Sequence, residues 1–242
     1  MMNEPTRGWL SSPNLFVKNP RMGWILFFVG TFVFALLAIN LKANGPLISV
    51  DTSISNSLHT TALNVSSGML TFIKSGWTLG NEVAIAVGVL MGVYFMIRRY
   101  WQEFWMVVAG AAGSPLIFLI ISHIFNRHRP SFAVPVANTL TGPGFPSGHA
   151  VIALALYGLL AYLLLPTISS RFWKWIVIII TVVVILFIGF SRVFTGGHYP
   201  TDVLAGYAVG LAWAGISYMW IENHFVRRDM KNMEGEASGA KR

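Results

Sequence analysis

Gly144-Phe145-Pro146-Ser147-Gly148-His149, followed at once by the apolar run Ala150–Leu165, is the stretch around which the rest of the chain is read. Proline and glycine mark a turn, and Ser147 is placed to cap the helix that the apolar run predicts. Gly148 lets the backbone approach a ligand closely, because no side chain intervenes. The free N–H groups at the start of that helix favour an anion. Taken alone, the turn is equally compatible with the end of a loop beside a bystander histidine.

The surrounding chain says what kind of helix this is. Of 242 residues, 55% are hydrophobic and 11% charged, whereas a soluble domain carries about 25% charged residues. Apolar runs near the ~20 residues that span a bilayer recur along the sequence. The expected fold is all-α: a polytopic membrane protein with six transmembrane helices. The spans read Met22–Leu41, Leu79–Ile97, Phe104–Phe125, Ala150–Leu165, Trp173–Gly189 and Val203–Ile221. The first is longer than the roughly 7–15 residue core of a signal peptide and lacks a convincing cleavage site, so it reads as a retained anchor. Pro115 is expected to kink the third. Residues 42–78 carry Pro46 and apolar Leu70, Ile73 and Trp77 at helical spacing, which predicts short amphipathic helices at the interface. The domain reading is a cytoplasmic segment 1–21, a membrane domain 22–222 and a charged cytoplasmic tail 223–242.

Charge sets the orientation. Six spans put both termini on one side. That side then holds Arg7, Lys18, Arg21, Arg98, Arg99, Arg171, Lys174, Arg227, Arg228, Lys231, Lys241 and Arg242, which is 12 of the 17 basic residues. The other side keeps Lys42, Lys74, Arg127, Arg129 and Arg192. By the positive-inside rule the richer side is cytoplasmic. The net charge of +8 thus reports topology; no single basic face suits nucleic acid, and none is expected as a partner. With no cysteine in the chain, disulfides, cysteine-ligated zinc and thiol catalysis are excluded.

Under this topology three segments meet at the outer ends of spans three to six: Arg127-His128-Arg129-Pro130, Pro146-Ser147-Gly148-His149, and Ser191-Arg192 through His198 to Asp202. Arginine near a bilayer is costly unless paired or functional. A single arginine there is explained by contact with a lipid headgroup. Arg127, Arg129 and Arg192 around one turn, beside two histidines, suggest a doubly charged phosphate that guanidinium groups can hold in a bidentate way. Pro200 suits the first turn of a helix, leaving His198 just before span six and Asp202 within its first turn. Asp202 is then expected to reach one ring nitrogen of His198, fix its tautomer and leave the other nitrogen free as a nucleophile. It also suits the helix dipole as a simple N-terminal charge. Gly206, Gly210 and Ala214, at four-residue spacing, give span six a smooth packing face.

These residues carry a resemblance. Arg129-Pro130, then Pro146-Ser147-Gly148-His149, then Ser191-Arg192-x5-His198-x3-Asp202 is similar to the three-part signature of the type 2 phosphatidic acid phosphatase superfamily, over roughly residues 50–222. One departure is Ser122, where the family usually has a lysine seven residues before the arginine of Arg-Pro. The resemblance implies an enzyme, a lipid phosphate phosphatase of the cell membrane working at the outer face. It implies His198 as nucleophile forming a phosphohistidine and His149 as the acid that protonates the departing oxygen. Asp202 would orient His198, while Arg129, Arg192, Ser147 and the N–H groups of Gly148 and His149 hold the phosphate oxygens, with Arg127 as a further grip near the turn. No metal and no cofactor are implied; the partners are a lipid phosphate substrate and the bilayer. The other readings are transfer of the phosphoryl group to an acceptor alcohol and a non-enzymatic anion-binding membrane protein. Transport favours charges near the bilayer midplane, whereas these cluster at helix ends.

Overall fold

A computed structural model describes residues 20–132 and 142–221, and within them every regular element is helical. The parts of segment 1–21 and of tail 223–242, both expected to be cytoplasmic, that precede Pro20 or follow Ile221 lie outside the described residues. The helices are α1 (Pro20–Lys42), α2 (Leu47–Asn64), α3 (Ser67–Thr78), α4 (Ala84–Ile97), α5 (Trp101–Val108), α6 (Ser114–Phe125), α7 (Gly148–Leu164), α8 (Arg171–Phe194) and α9 (Pro200–Ile221). Six continuous runs are long and apolar enough to cross a membrane: Arg21–Lys42, Ser67–Ile97, Trp101–Phe125, Gly148–Thr167, Arg171–Phe194 and Pro200–Trp220. Large side chains such as Phe32, Leu90, Ile97, Phe172 and Trp175 stay exposed on their flanks, as expected where lipid rather than water is the solvent. The chain is a multi-pass helical membrane protein.

Two spans differ from their expected outlines. The second starts at Ser67, not Leu79, because α3 runs into α4 through a π-turn at Leu79–Val83. Ser66 caps its start, accepting from the N–H of Met69 at 3.3 Å. Lys74 and Glu82 are the only charges from Ser67 to Ile97 and no proline interrupts them, so nothing forces a break. Of the interfacial helices expected in 42–78, α2 is the separate one. The fifth span continues past Gly189 to Phe194, which puts Ser191 and Arg192 on the last turn of α8.

The third span carries its irregularity as a π-turn at Ala109–Gly113, with Pro115 in the first turn of α6 behind it. A widened turn accommodates a residue that has no N–H to donate. The carbonyl of Ala109 accepts from Trp213 Nε1 at 2.9 Å, pinning this turn to α9.

Helix α7 is the centre, with Ala150, Val151 and Ala153 fully buried against α8 and α9. The smooth face expected on span six makes that approach possible: a Cβ on Gly206 would sit 2.7 Å from the Cβ of Ala150. On another side of α9, α1 packs so closely that a Cβ on Gly30 would lie 2.6 Å from the backbone nitrogen of Ala212. These contacts gather the ends of α6 and α8 and the starts of α7 and α9 at one end of the bundle, with α2 and α3 beside them.

Candidate active site

His198 lies in the turn between α8 and α9. Gly196 makes that turn at a φ of 75°, in the left-handed region that glycine enters without strain. The N–H groups of Gly197 and His198 both donate to the carbonyl of Arg192, at 2.9 and 3.1 Å, folding the turn onto the end of α8. The ring is 1% exposed. Its Nδ1 lies 2.7 Å from the carbonyl oxygen of Gly144, and its Nε2 lies 3.0 Å from Nη1 of Arg129. A carbonyl only accepts and a guanidinium only donates. Both constraints therefore choose the same tautomer: the proton is on Nδ1 and the lone pair is on Nε2. Burial, reinforced by the charges of Arg129 and Arg192, holds the pKa of this imidazole well below the usual 6.5.

Asp202 does not make the hydrogen bond expected of it. Its Oδ2 is 3.8 Å from Nδ1 of His198, too far for one. That oxygen accepts instead from the N–H of Tyr199 at 2.7 Å, while Oδ1 accepts from Nη1 of Arg127 at 2.6 Å. The reason is local. With Pro200 as the first helical residue, Asp202 falls at the third, where a carboxyl reaches back to the capping residue's N–H. The main-chain carbonyl of Asp202 in turn accepts from the N–H of Ser147 at 2.8 Å, stitching α7 to α9.

Ser147 occupies the capping position of α7 but makes no side-chain cap. Its Oγ is buried without a partner, as are Nε2 of His149, Oγ of Ser191 and Nε of Arg192. Unsatisfied buried polar atoms are rare, and here four come from the predicted segments. Arg192 is 1% exposed and has no carboxylate partner among the described residues. Its guanidinium carbon sits 4.3 Å from the centre of the Trp77 ring. The same indole meets His149 edge-on, with centroids 5.0 Å apart. Gly80, one turn further along, leaves room for the imidazole: a Cβ there would come within 3.1 Å of His149 Cδ2.

Arg129 laces the site together. It donates from Nε to Gly142 at 3.2 Å, from Nη2 to Pro143 at 3.0 Å and from Nη1 to Gly197 at 2.8 Å. Arg127, read from sequence as a further phosphate grip, is placed differently. It bridges Asp51 at 2.8 Å and Asp202 at 2.6 Å, with Tyr199 stacked 4.3 Å away. Two carboxylates already neutralise it. Ser122, at the place of the family's lysine, is buried and bonds the carbonyl of Leu119 at 2.9 Å.

The structure thus brings His149, His198, Asp202, Arg129, Arg192, Ser147 and Gly148 to one end of the bundle and sets Arg127 behind them. Sequence reading missed Asp51, Trp77 and the carbonyl of Gly144. Asp51 left one trace, as the only acidic residue between the first two spans. Among the described residues no cluster of three or more carboxylates and histidines suits a metal ion.

The class that fold and site define is a helical membrane bundle with two histidines and, among the described residues, two arginines without a carboxylate partner, Arg129 and Arg192, at one end of its helices. Residues 103–225 match the model of the PAP2 superfamily, and the chain belongs to that superfamily. It is 31% identical to phosphatidylglycerophosphatase B of Bacillus subtilis over 189 residues, 76% of this chain and 89% of that one. It is 27% identical to an undecaprenyl-diphosphatase of Sulfolobus acidocaldarius, over 83% of this chain and 91% of that one. The crystal structure of a transmembrane PAP2-type phosphatidylglycerolphosphate phosphatase from Bacillus subtilis superimposes with a TM-score of 0.69 at 26% identity, covering 81% of this chain and 98% of that one.

Proposed function

We propose that this chain is an integral-membrane phosphatase that removes a phosphoryl group from a lipid phosphomonoester or diphosphate through a phosphohistidine on His198. The observation that carries the reading is the fixed tautomer of His198: its lone pair on Nε2 faces Arg129 while its proton is held by Gly144. A buried neutral imidazole is a competent nucleophile at pH 7.

In the first step Nε2 attacks phosphorus and the bond from phosphorus to the lipid oxygen breaks. That oxygen leaves with the electron pair and takes a proton from Nε2 of His149, which is otherwise unpartnered. In the second step water attacks phosphorus and gives a proton back to Nε2 of His149. The P–N bond breaks with its electron pair returning to Nε2 of His198, and inorganic phosphate, neutral His198 and protonated His149 are restored. Arg129, Arg192, Ser147 and the N–H groups of Gly148 and His149 stabilise the equatorial oxygens, where charge gathers in the transition state. Arg129 Nη1 turns from Nε2 to a phosphate oxygen as substrate enters. The guanidinium groups supply the positive charge that a metal would otherwise provide.

The substrate classes named for the relatives, phosphatidylglycerophosphate and a polyprenyl diphosphate, both place a phosphate on an apolar anchor. The site lies at the end of the bundle opposite Arg21, Arg98, Arg99, Arg171 and Lys174, and the positive-inside rule supports the reading that it faces the outer side of the cell membrane. Purified protein, offered phosphatidate, phosphatidylglycerophosphate and undecaprenyl diphosphate in detergent, is expected to release phosphate in EDTA and to be inhibited by vanadate. Release from none of them, or a loss in chelator that magnesium restores, contradicts the proposal.

A further inference from the structure

Asp51 lies on α2, outside the stretch 103–225 that matches the family and outside all three motifs. Its carboxylate is nevertheless 1% exposed, and its contacts end on the segments that carry the candidate catalytic groups. Oδ1 accepts from the N–H of Thr201 at 2.9 Å. Oδ2 accepts from the Thr201 hydroxyl and from Nη2 of Arg127, the latter at 2.8 Å. One guanidinium is therefore held at two nitrogens by two carboxylates, Nη2 by Asp51 and Nη1 by Asp202, and its rigid fork of donors ties α2 to the start of α9.

Two routes lead from this fork to the ring of His198. Along the first, the carbonyl of Arg127 accepts from the N–H of Gly144 at 2.6 Å, and Gly144 accepts the proton of His198 Nδ1. Along the second, Arg127 holds Asp202, whose other oxygen holds the N–H of Tyr199, the residue after His198. A nucleophile must meet phosphorus in line, and a displacement of ~1 Å by a distant change can cost about a hundredfold in rate.

We propose that Asp51 is a positioning residue for His198. By clamping Arg127 and Thr201 it fixes the Gly144 carbonyl that selects the tautomer and the start of α9 that presents the ring. This rests on the phosphatase reading. It predicts that α2, although outside the family match, sets the turnover rate of the site without touching substrate.

The test uses the full chain in detergent with nitrophenyl phosphate and with phosphatidate micelles, rates being normalised to bound vanadate. Asp51→Asn is expected to lower kcat by about a hundredfold with KM nearly unchanged and one vanadate still bound per chain. Arg127→Gln acts through the same fork, so the double variant should be no slower than Arg127→Gln alone. Thr201→Val, which deletes the hydroxyl that donates to Asp51 and accepts from Nη1 of Arg127, should lose about tenfold in kcat and decides the matter if Asp51→Asn does not fold. Wild-type kcat per vanadate site in Asp51→Asn, or in Thr201→Val when that variant decides, overturns the proposal. So do losses that multiply in the double variant. A wild type inert toward both substrates removes the phosphatase reading and this inference with it. An active wild type with an indifferent Asp51 variant removes this inference alone.

Discussion

The ring of His198 is oriented by the main-chain carbonyl of Gly144, 2.7 Å from Nδ1, and not by the carboxylate of Asp202, 3.8 Å away. A neutral carbonyl selects the tautomer without adding the negative charge that would favour protonation of the ring. The charge of Asp202 is instead compensated by Arg127 at 2.6 Å. Tautomer selection and the anchoring of α9 are thus assigned to different groups.

Asp202→Asn is accordingly expected to act first on stability. Arg127 keeps Asp51 as a partner, so loss of the charged hydrogen bond costs about 2 kcal/mol, which should appear as a lower melting temperature in detergent. Turnover should fall only in part, because Gly144 still holds the ring. An unchanged melting temperature with activity as low as in His198→Ala would instead give Asp202 a direct role on the imidazole.

The depressed pKa of His198 makes stability depend on pH in a definite sense. In the unfolded chain the imidazole binds a proton below about 6.5, whereas the folded one stays neutral there. The unfolded state therefore gains protons as the pH falls below about 6.5, and stability drops toward the folded pKa. Above about 6.5 neither form binds a proton and this contribution is flat. Melting curves between about pH 7.5 and 5 should show the slope in wild type and a shallower one in His198→Asn. Equal slopes would mean that the ring is protonated in the folded protein.

The two histidines should separate by leaving group. A lipid alkoxide is strongly basic and needs a proton as it departs, whereas nitrophenolate does not. His149→Ala should lose nearly all hydrolysis of phosphatidate yet retain phosphoryl transfer from nitrophenyl phosphate, with a burst of nitrophenolate if His149 also activates the water. His198→Ala should lose both. Equal losses for His149→Ala on the two substrates would remove it from the acid role.

Orientation is open to direct labelling, since the chain has no cysteine of its own. Ala43 and Ser170 are exposed at opposite ends of the bundle. Ala43→Cys should react with an impermeant maleimide on intact cells and Ser170→Cys only after lysis. The reverse pattern would put the site on the cytoplasmic face.

Most of this architecture was legible because its signals are local. Apolar runs interrupted by Arg98-Arg99 or by Pro-Ser-Gly-His mark the spans, and the motif residues carry chemistry that the bilayer makes costly without a purpose. What escaped depends on partners distant in sequence. Pro46, the serines and threonines, and the helical spacing of Leu70, Ile73 and Trp77 make residues 42–78 look interfacial, because nothing local shows that Gly76 packs on Ser191 of α8. The buried carboxylate of Asp51 finds Thr201 150 residues away. The carbonyl of Gly144 has no side-chain signature at all, so the tautomer was assigned to the nearest carboxylate in sequence. Arg127 looked like a phosphate ligand because its two neutralising partners come from α2 and α9.

The central claim is that Nε2 of His198 becomes bonded to phosphorus. The most direct measurement is rapid acid-free quenching of protein mixed with phosphorus-32-labelled phosphatidate, followed by peptide mapping. The account predicts label on the peptide containing His198, stable to base and lost in mild acid, and absent in His198→Ala. A labelled phosphoenzyme that persists in His198→Ala, or full turnover by that variant, would contradict it.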